Sequence, residues 1–107
     1  MAKTLNFKTL KKSYLTVTLI DGTVLMIGTP TKKVYDDLRT MDDLINNSDD
    51  VEAMDELYKV TAAVMSRNKT GKEITNEYIA ELMDFEDIII FYNAYLEFVG
   101  ELSNQKN

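Results

Sequence analysis

The sequence predicts an α+β fold, mainly α, in which an N-terminal antiparallel β-hairpin packs on a bundle of about four helices. Two observations carry that prediction. Residues 14–28, YLTVTLI-DG-TVLMIG, place β-branched and apolar side chains on both sides of an Asp-Gly pair, a strong short-range hairpin signal. From residue 29 to 103 apolar side chains recur at helical spacing, interrupted at Asn46-Asn47, at the polar stretch NKTGKE and at Asp84. At 107 residues the chain has room for one core, hence one domain. Its parts are a basic N-terminal segment (1–13), the hairpin (14–28), the helical part (29–103) and a frayed tail (104–107).

A two-residue type I′ turn at Asp21-Gly22 sets the expected register. It pairs Leu19 with Val24 and Val17 with Met26 on one face, and Thr18 with Leu25 and Thr16 with Ile27 on the other. The first face is wholly apolar and is expected to lie on the helices. The second mixes Thr with Leu25, Ile27 and Tyr14, so the KTLNF segment or a neighbouring chain is expected to cover part of it. A lone hairpin is marginal in water and needs such support.

Thr29-Pro30 reads as the start of the first helix, with Thr29 as cap and Pro30 at the first helical position, where its missing N–H costs nothing. Val34, Leu38, Met41 and Ile45 then form a narrow stripe, with Leu44 at its edge and Asp36 and Asp43 opposite. The helix ends at Asn46-Asn47. Ser48 or Asp49 caps a second helix, whose Met54, Leu57, Tyr58, Thr61, Val64 and Met65 make a broad apolar arc that Val60 widens. After the loop at 68–73, Ile74-Thr75 opens a short third helix, Ile74 and Ile79 being spaced for a hydrophobic staple around a Thr75 cap. Asp84 ends it and caps the last helix, with Glu86 and Asp87 in the positive first turn.

Along that last helix, wound at about 100° per residue, Phe98, Phe91, Leu102, Tyr95, Ile88, Val99, Tyr92, Leu96 and Ile89 fill one arc, wider than a core-facing stripe needs. Such an excess points to a surface that meets another polypeptide. The partner-binding residues are accordingly expected at Met54, Val60, Val64, Phe91, Tyr95 and Phe98. Core packing is the competing reading for the aromatic residues, and gap filling for the methionines. Ile90, among Glu86, Glu97 and Glu101, reads as a single exposed isoleucine without a role.

Chemistry finds little footing. With no His and no Cys, nucleophilic triads, thiolate metal sites and disulfides are excluded, and no cofactor or metal is expected. The adjacent acids Asp36-Asp37, Asp42-Asp43, Asp49-Asp50 and Glu86-Asp87 point about 100° apart on a helix and do not converge. The alternating acids and closing Glu of a calcium loop are missing, and Lys69-Thr70-Gly71-Lys72 lacks the first Gly and the Ser/Thr of a phosphate loop. An enzyme is not expected.

Net charge is −6, unevenly spread: residues 1–33 hold six Lys and one acid, whereas residues 34–107 hold six basic and seventeen acidic side chains. Such a dipolar chain is suited to pairing with copies of itself or to meeting a basic partner, and a homo-oligomer is expected; ordinary solvated faces are the plain alternative. The cluster Lys3, Lys8, Lys11 and Lys12 is too short and aromatic-poor for nucleic acid. The longest apolar run, Ile88 to Tyr92, falls far short of the ~20 residues that span a bilayer. MAKTLNFKTLKK also lacks the features of a secretory signal, so neither nucleic acid nor membrane is an expected partner and the cytoplasm is the expected location.

Three stretches together resemble the tail assembly chaperones of long-tailed bacteriophages and prophages, especially those of Gram-positive hosts. These are the hairpin YLTVTLIDGTVLMIGTPT entering a helix at Thr29-Pro30, the loop NKTGKEIT, and the closing run DFEDIIIFYNAYLEFVGEL. In such proteins the last segment is an acid-flanked helix with aromatic positions, filled here by Asp84, Asp87, Phe91, Tyr95 and Phe98. The resemblance implies a non-enzymatic role. Several copies would coat apolar helical stretches of the tape measure protein, keep it soluble and recruit tail tube protein, within the host cytoplasm and absent from the mature virion. It also implies a longer product made by ribosomal frameshifting near Gln105-Lys106-Asn107. The rival is a small structural head–tail component, or an adaptor or regulator that binds a host protein through its acidic surface.

Overall fold

The computed structural model describes residues 4–8, 12–47 and 51–104. A two-stranded antiparallel sheet, β1 (Tyr14–Thr18) and β2 (Val24–Gly28), is followed by four helices: α1 (Lys32–Asn46), α2 (Val51–Met65), α3 (Asn76–Leu82) and α4 (Phe85–Asn104). The expected α+β, mainly helical fold with an N-terminal hairpin is what forms. The caps expected at Ser48 or Asp49, Lys3 and Lys11 of the basic cluster, and residues 105–107 lie outside the described residues.

The hairpin register differs from expectation by one residue. Thr18 lies opposite Val24, Val17 opposite Leu25, Thr16 opposite Met26 and Leu15 opposite Ile27. A type I′ turn needs positive φ at both central residues, but only Gly22 (φ +91°) has it; Asp21 does not. The chain instead makes a three-residue loop. The Gly22 N–H donates to the Leu19 carbonyl (2.9 Å) and the Leu19 N–H to the Thr23 carbonyl (2.8 Å), a type I turn followed by a left-handed glycine. Because side chains alternate, the slip exchanges the two faces of β2 relative to β1. Leu15, Val17, Leu19, Leu25 and Ile27 turn toward the helices, while Thr16, Thr18, Val24 and Met26 face outward. Val24 and Met26, expected inside, are therefore exposed. The KTLNF segment does not cover them, since Leu5 and Phe7 are themselves exposed. A side chain at residue 22 would strain the left-handed backbone, so Gly22→Ala is expected to cost about 1 kcal/mol or more, read from the urea unfolding midpoint.

Helix α1 starts later than Thr29-Pro30 suggests. Thr31 is the cap: its hydroxyl accepts from the Val34 N–H (3.3 Å), and its carbonyl takes the first helical bond, from Tyr35 N (3.0 Å). That choice puts Val34 inward, in line with Leu38 and Met41, and all three are buried. Helix α2 is the central element, packed against α1 and α3, and its Leu57, Val60, Thr61, Ala62, Val64 and Met65 are buried. Its broad arc is therefore used up inside the protomer.

Helix α3 follows the sequence reading closely. Thr75 caps it, accepting from Tyr78 N (3.1 Å), and Ile74 and Ile79 on either side of the cap are both buried. Asp84 and Asp87 then form a reciprocal cap for α4: Asp87 N donates to the Asp84 carboxylate (2.8 Å) and Asp84 N to the Asp87 carboxylate (3.0 Å). Helix α4 continues through Asn104, a residue past the expected boundary of the tail.

Candidate functional site

Three tyrosine hydroxyls and one asparagine join these elements. Tyr58 on α2 donates to the Met83 carbonyl (2.8 Å), which fixes the α3–α4 corner against α2. Tyr78 on α3 donates to the Asp21 carboxylate (2.6 Å) and lies 3.1 Å from the Thr23 hydroxyl, fastening the hairpin loop. Together with the Thr23 N–H, it holds the Asp21 carboxyl below the usual carboxylate range. Tyr95 on α4 donates to the Gly28 carbonyl at the end of β2 (2.6 Å), and burial pushes its pKa up to about 12. Asn68, buried in the α2–α3 loop, donates to the Met65 and Lys72 carbonyls (2.9 and 2.8 Å) and accepts from Lys72 N and the Thr70 hydroxyl (3.0 and 2.9 Å). The loop so shaped meets the outer edge of β2, where Lys69 N donates to the Met26 carbonyl (2.8 Å).

These links decide which apolar residues remain on the surface. Of the six residues expected to bind a partner, Val64, Tyr95, Phe91 and Val60 are buried, at 0, 1, 5 and 8% exposure. They hold the protomer together, and of the four only Phe91 also lines an open groove. The physical reason is that α2 packs against α1 and α3 while α4 meets α1 and the end of β2, so one shared core cluster takes up most of both arcs. Met54 and Phe98 are half-buried against the core. The rings of Phe91, Tyr95 and Phe98 line up with centroids 6.1 and 5.9 Å apart, an intramolecular aromatic row.

Part of the exposed apolar surface lies to either side of the buried stripe of α4, in two grooves. The first runs between α4 and the end of β1. It has a volume of about 210 Å³, its floor is Phe91, Met83 and Leu19, and Val17, Ile20, Ile90 and Ala94 make its sides. Ile20 is 74% and Ile90 60% exposed. Ile90, unremarkable as a lone residue in the sequence, is thus one side of a continuous apolar depression. The acid in this groove, Asp87, is engaged by the Asp84 N–H.

The second groove lies between α1 and α4, with a volume of about 330 Å³. Tyr35, Leu38, Tyr92 and Leu96 supply apolar lining, while Arg39, Asp42 and Asp43 form a charged rim. Tyr35 and Leu96 are substantially exposed. Burial, and then the neighbouring Asp42 and Asp43 carboxylates, keep the Tyr92 hydroxyl above the usual phenol range. Leu96 belongs to the arc legible in the sequence, but Tyr35 and Ile90 do not, and no local pattern marks them. They acquire meaning from what the fold sets beside them.

Lys32 and Lys33 pair with Asp36 and Asp37 one turn on (3.3 and 3.0 Å), as solvated pairs of small energetic weight. Among the described residues no three acidic side chains gather as a metal ion requires, and no helix is long and apolar enough to cross a membrane. Comparison with known protein families, with curated proteins and with solved structures finds no match to this chain.

Proposed function

We propose that this protein is a non-enzymatic phage tail assembly chaperone, which binds and solubilises the tape measure protein during tail morphogenesis in the host cytoplasm and is not retained in the mature virion. The observation that carries the reading is the groove between α1 and α4, in which Tyr35, Leu38, Tyr92 and Leu96 form an apolar floor and Arg39, Asp42 and Asp43 a charged, net acidic rim. A groove of this form accepts the apolar face of an amphipathic helix, with the rim acids meeting basic residues beside that face. One such contact is weak. Many copies along a repetitive helical client would bind it firmly, while the acidic outer surface kept the loaded complex in solution. The resemblance in element order, hairpin, loop and acid-capped aromatic helix, supplies the identity of the client, and tail tube protein is a second expected partner.

The test is association with fragments of the tape measure protein made by the same phage, measured by calorimetry or co-purification. Replacing Tyr35 and Leu96 together by Glu puts carboxylates into the groove at positions already exposed, so the fold is spared. Binding is expected to weaken roughly tenfold or more, which corresponds to ~1.4 kcal/mol. Absence of binding by the unmodified protein, equal binding by the double variant, or this chain as a component of purified virions would each reject the reading; the last outcome favours a structural head–tail role.

A further inference from the structure

We infer that β1 pairs antiparallel with β1 of a second copy of this chain, centred on Thr16, so that two hairpins form one four-stranded sheet and each copy closes the groove between β1 and α4 of the other. The inference starts from the hydrogen-bond parity of the hairpin. The Leu19–Thr23 pair is joined by a ladder bond, so Val17 and Leu15 also direct their N–H and C=O groups toward β2. Those of Tyr14, Thr16 and Thr18 then point away from the hairpin, along its outer edge. Two of the corresponding outward groups of β2 are engaged within the protomer: the Met26 carbonyl receives Lys69 N, and the Gly28 carbonyl receives the Tyr95 hydroxyl. On β1 nothing among the described residues receives or donates to the outward groups of Tyr14, Thr16 and Thr18.

An open edge of this kind normally carries a Lys, a Pro or a bulge that discourages pairing. The strand here is YLTVT, uncharged and regular. Three features make a second copy of this chain the occupant. The outward residues are evenly spaced about Thr16, so a two-fold axis there sets Thr16 against Thr16 and Tyr14 against Thr18, and satisfies every outward group at once. The strand is flanked by opposite charges, Lys12 before it and Asp21 after it, both exposed. Antiparallel pairing about Thr16 sets Lys12 of each copy opposite Ile20 of the other, one residue from Asp21, so the opposite charges of the two copies approach at each end of the paired strands. Finally, the same register sets Leu15 of one copy next to Val17 of the other on the inward face. There the groove is lined by Val17 to Ile20 and by Ile90 and Ala94, with no contribution from β2. Leu15 of the second copy, while packed against its own core, thereby lies along the open side of this groove of about 210 Å³ and extends its apolar lining. Pairing covers Ile20 and Ile90, the two exposed isoleucines of this side, and leaves the groove between α1 and α4 open.

The chain has no cysteine, so Thr16→Cys supplies a single thiol. Across the two-fold axis the Cα atoms of a hydrogen-bonded pair stand ~5.5 Å apart, within disulfide range. Oxidised Thr16→Cys is expected to run as a covalent dimer with the same hydrodynamic radius as the unmodified dimer. Val24→Cys, three strand spacings across and four residues along from its counterpart, roughly 20 Å away, should not cross-link. Thr16→Pro removes an N–H that the protomer does not use and is expected to weaken self-association roughly tenfold or more in sedimentation equilibrium. A monomer at every concentration overturns the inference, and so does an assembly that Thr16→Cys fails to lock. Should Thr16→Pro not fold, as judged by circular dichroism, the cross-linking result decides alone. None of these readouts involves a tail protein, so the interface stands or falls apart from the chaperone reading.

Discussion

Asn68→Asp is expected to lower the unfolding free energy by about 2–4 kcal/mol at neutral pH, although the two side chains have nearly the same shape. The amide donates to two carbonyls, Met65 and Lys72, and accepts from Lys72 N and the Thr70 hydroxyl, in a buried position. An ionised carboxylate keeps the acceptor role but cannot donate, so it leaves two carbonyls without partners and sets a negative charge against them. Asn68→Ala loses the same bonds without adding charge and should be destabilised less at neutral pH. The carboxyl in the Asp variant is disfavoured in its charged form, so its folded-state pKa is raised above the unfolded value. The sign follows from linkage: the variant regains stability relative to the unmodified protein as pH falls and the carboxyl protonates, and loses it as pH rises through the folded-state pKa. Urea unfolding at neutral and mildly acidic pH reads both effects. An Asp variant within about 0.5 kcal/mol of the unmodified protein would mean that the loop does not depend on its amide.

Tyr95→Ala should cost about 3–5 kcal/mol, in the range of other buried aromatic truncations. Its ring is buried between Phe91 and Phe98, and its hydroxyl is the tie from α4 to the end of β2. Tyr95→Phe separates the two contributions. The ring stays, the Gly28 carbonyl loses its donor, and a cost of about 1–2 kcal/mol is expected. The alkaline limb of the stability curve offers an independent check. The Tyr95 hydroxyl is raised from its ordinary 10 to about 12 by burial, so the folded state retains a proton that the unfolded state releases. Stability from this group is complete below about pH 10 and is lost as pH rises through about 12. Tyr58, Tyr78 and Tyr92 are shifted in the same direction and contribute to the same limb. The difference between the unmodified protein and Tyr95→Phe over this range isolates Tyr95. It should shrink as pH rises, and a constant difference would contradict the burial of the hydroxyl.

Both residues show where sequence reading stops. Asn68 occupies a polar loop, where an asparagine is ordinary, and its role depends on four neighbours gathered by a turn of chain. Tyr95 is legible as part of an apolar arc, yet whether that arc faces the protomer or a partner depends on the hairpin, sixty-seven residues away in the chain from its hydrogen-bonded carbonyl. The sequence placed Val60, Val64, Phe91 and Tyr95 on a broad surface, because periodicity measures how wide an apolar face is but not how many neighbours share it. The strand β2 posed a related ambiguity. Val24, Leu25, Met26 and Ile27 are all apolar, so alternation could not choose its face, and the turn assigned from Asp21-Gly22 chose the wrong one.

What the sequence by itself determined are features decided among near neighbours. These are the hairpin, the number and order of the helices, the stripe Val34–Leu38–Met41, the Thr75 cap with Ile74 and Ile79, and Asp84 as the cap of the last helix. Each rests on contacts within a turn or two of the chain, so residue spacing alone specifies it. Tertiary structure decided the hairpin register, the burial of the α2 and α4 arcs, the tyrosine ties and the two grooves that flank α4. Those depend on elements that approach one another from distant parts of the chain, where the identity of a residue fixes what it can contact but not what will be there to meet it.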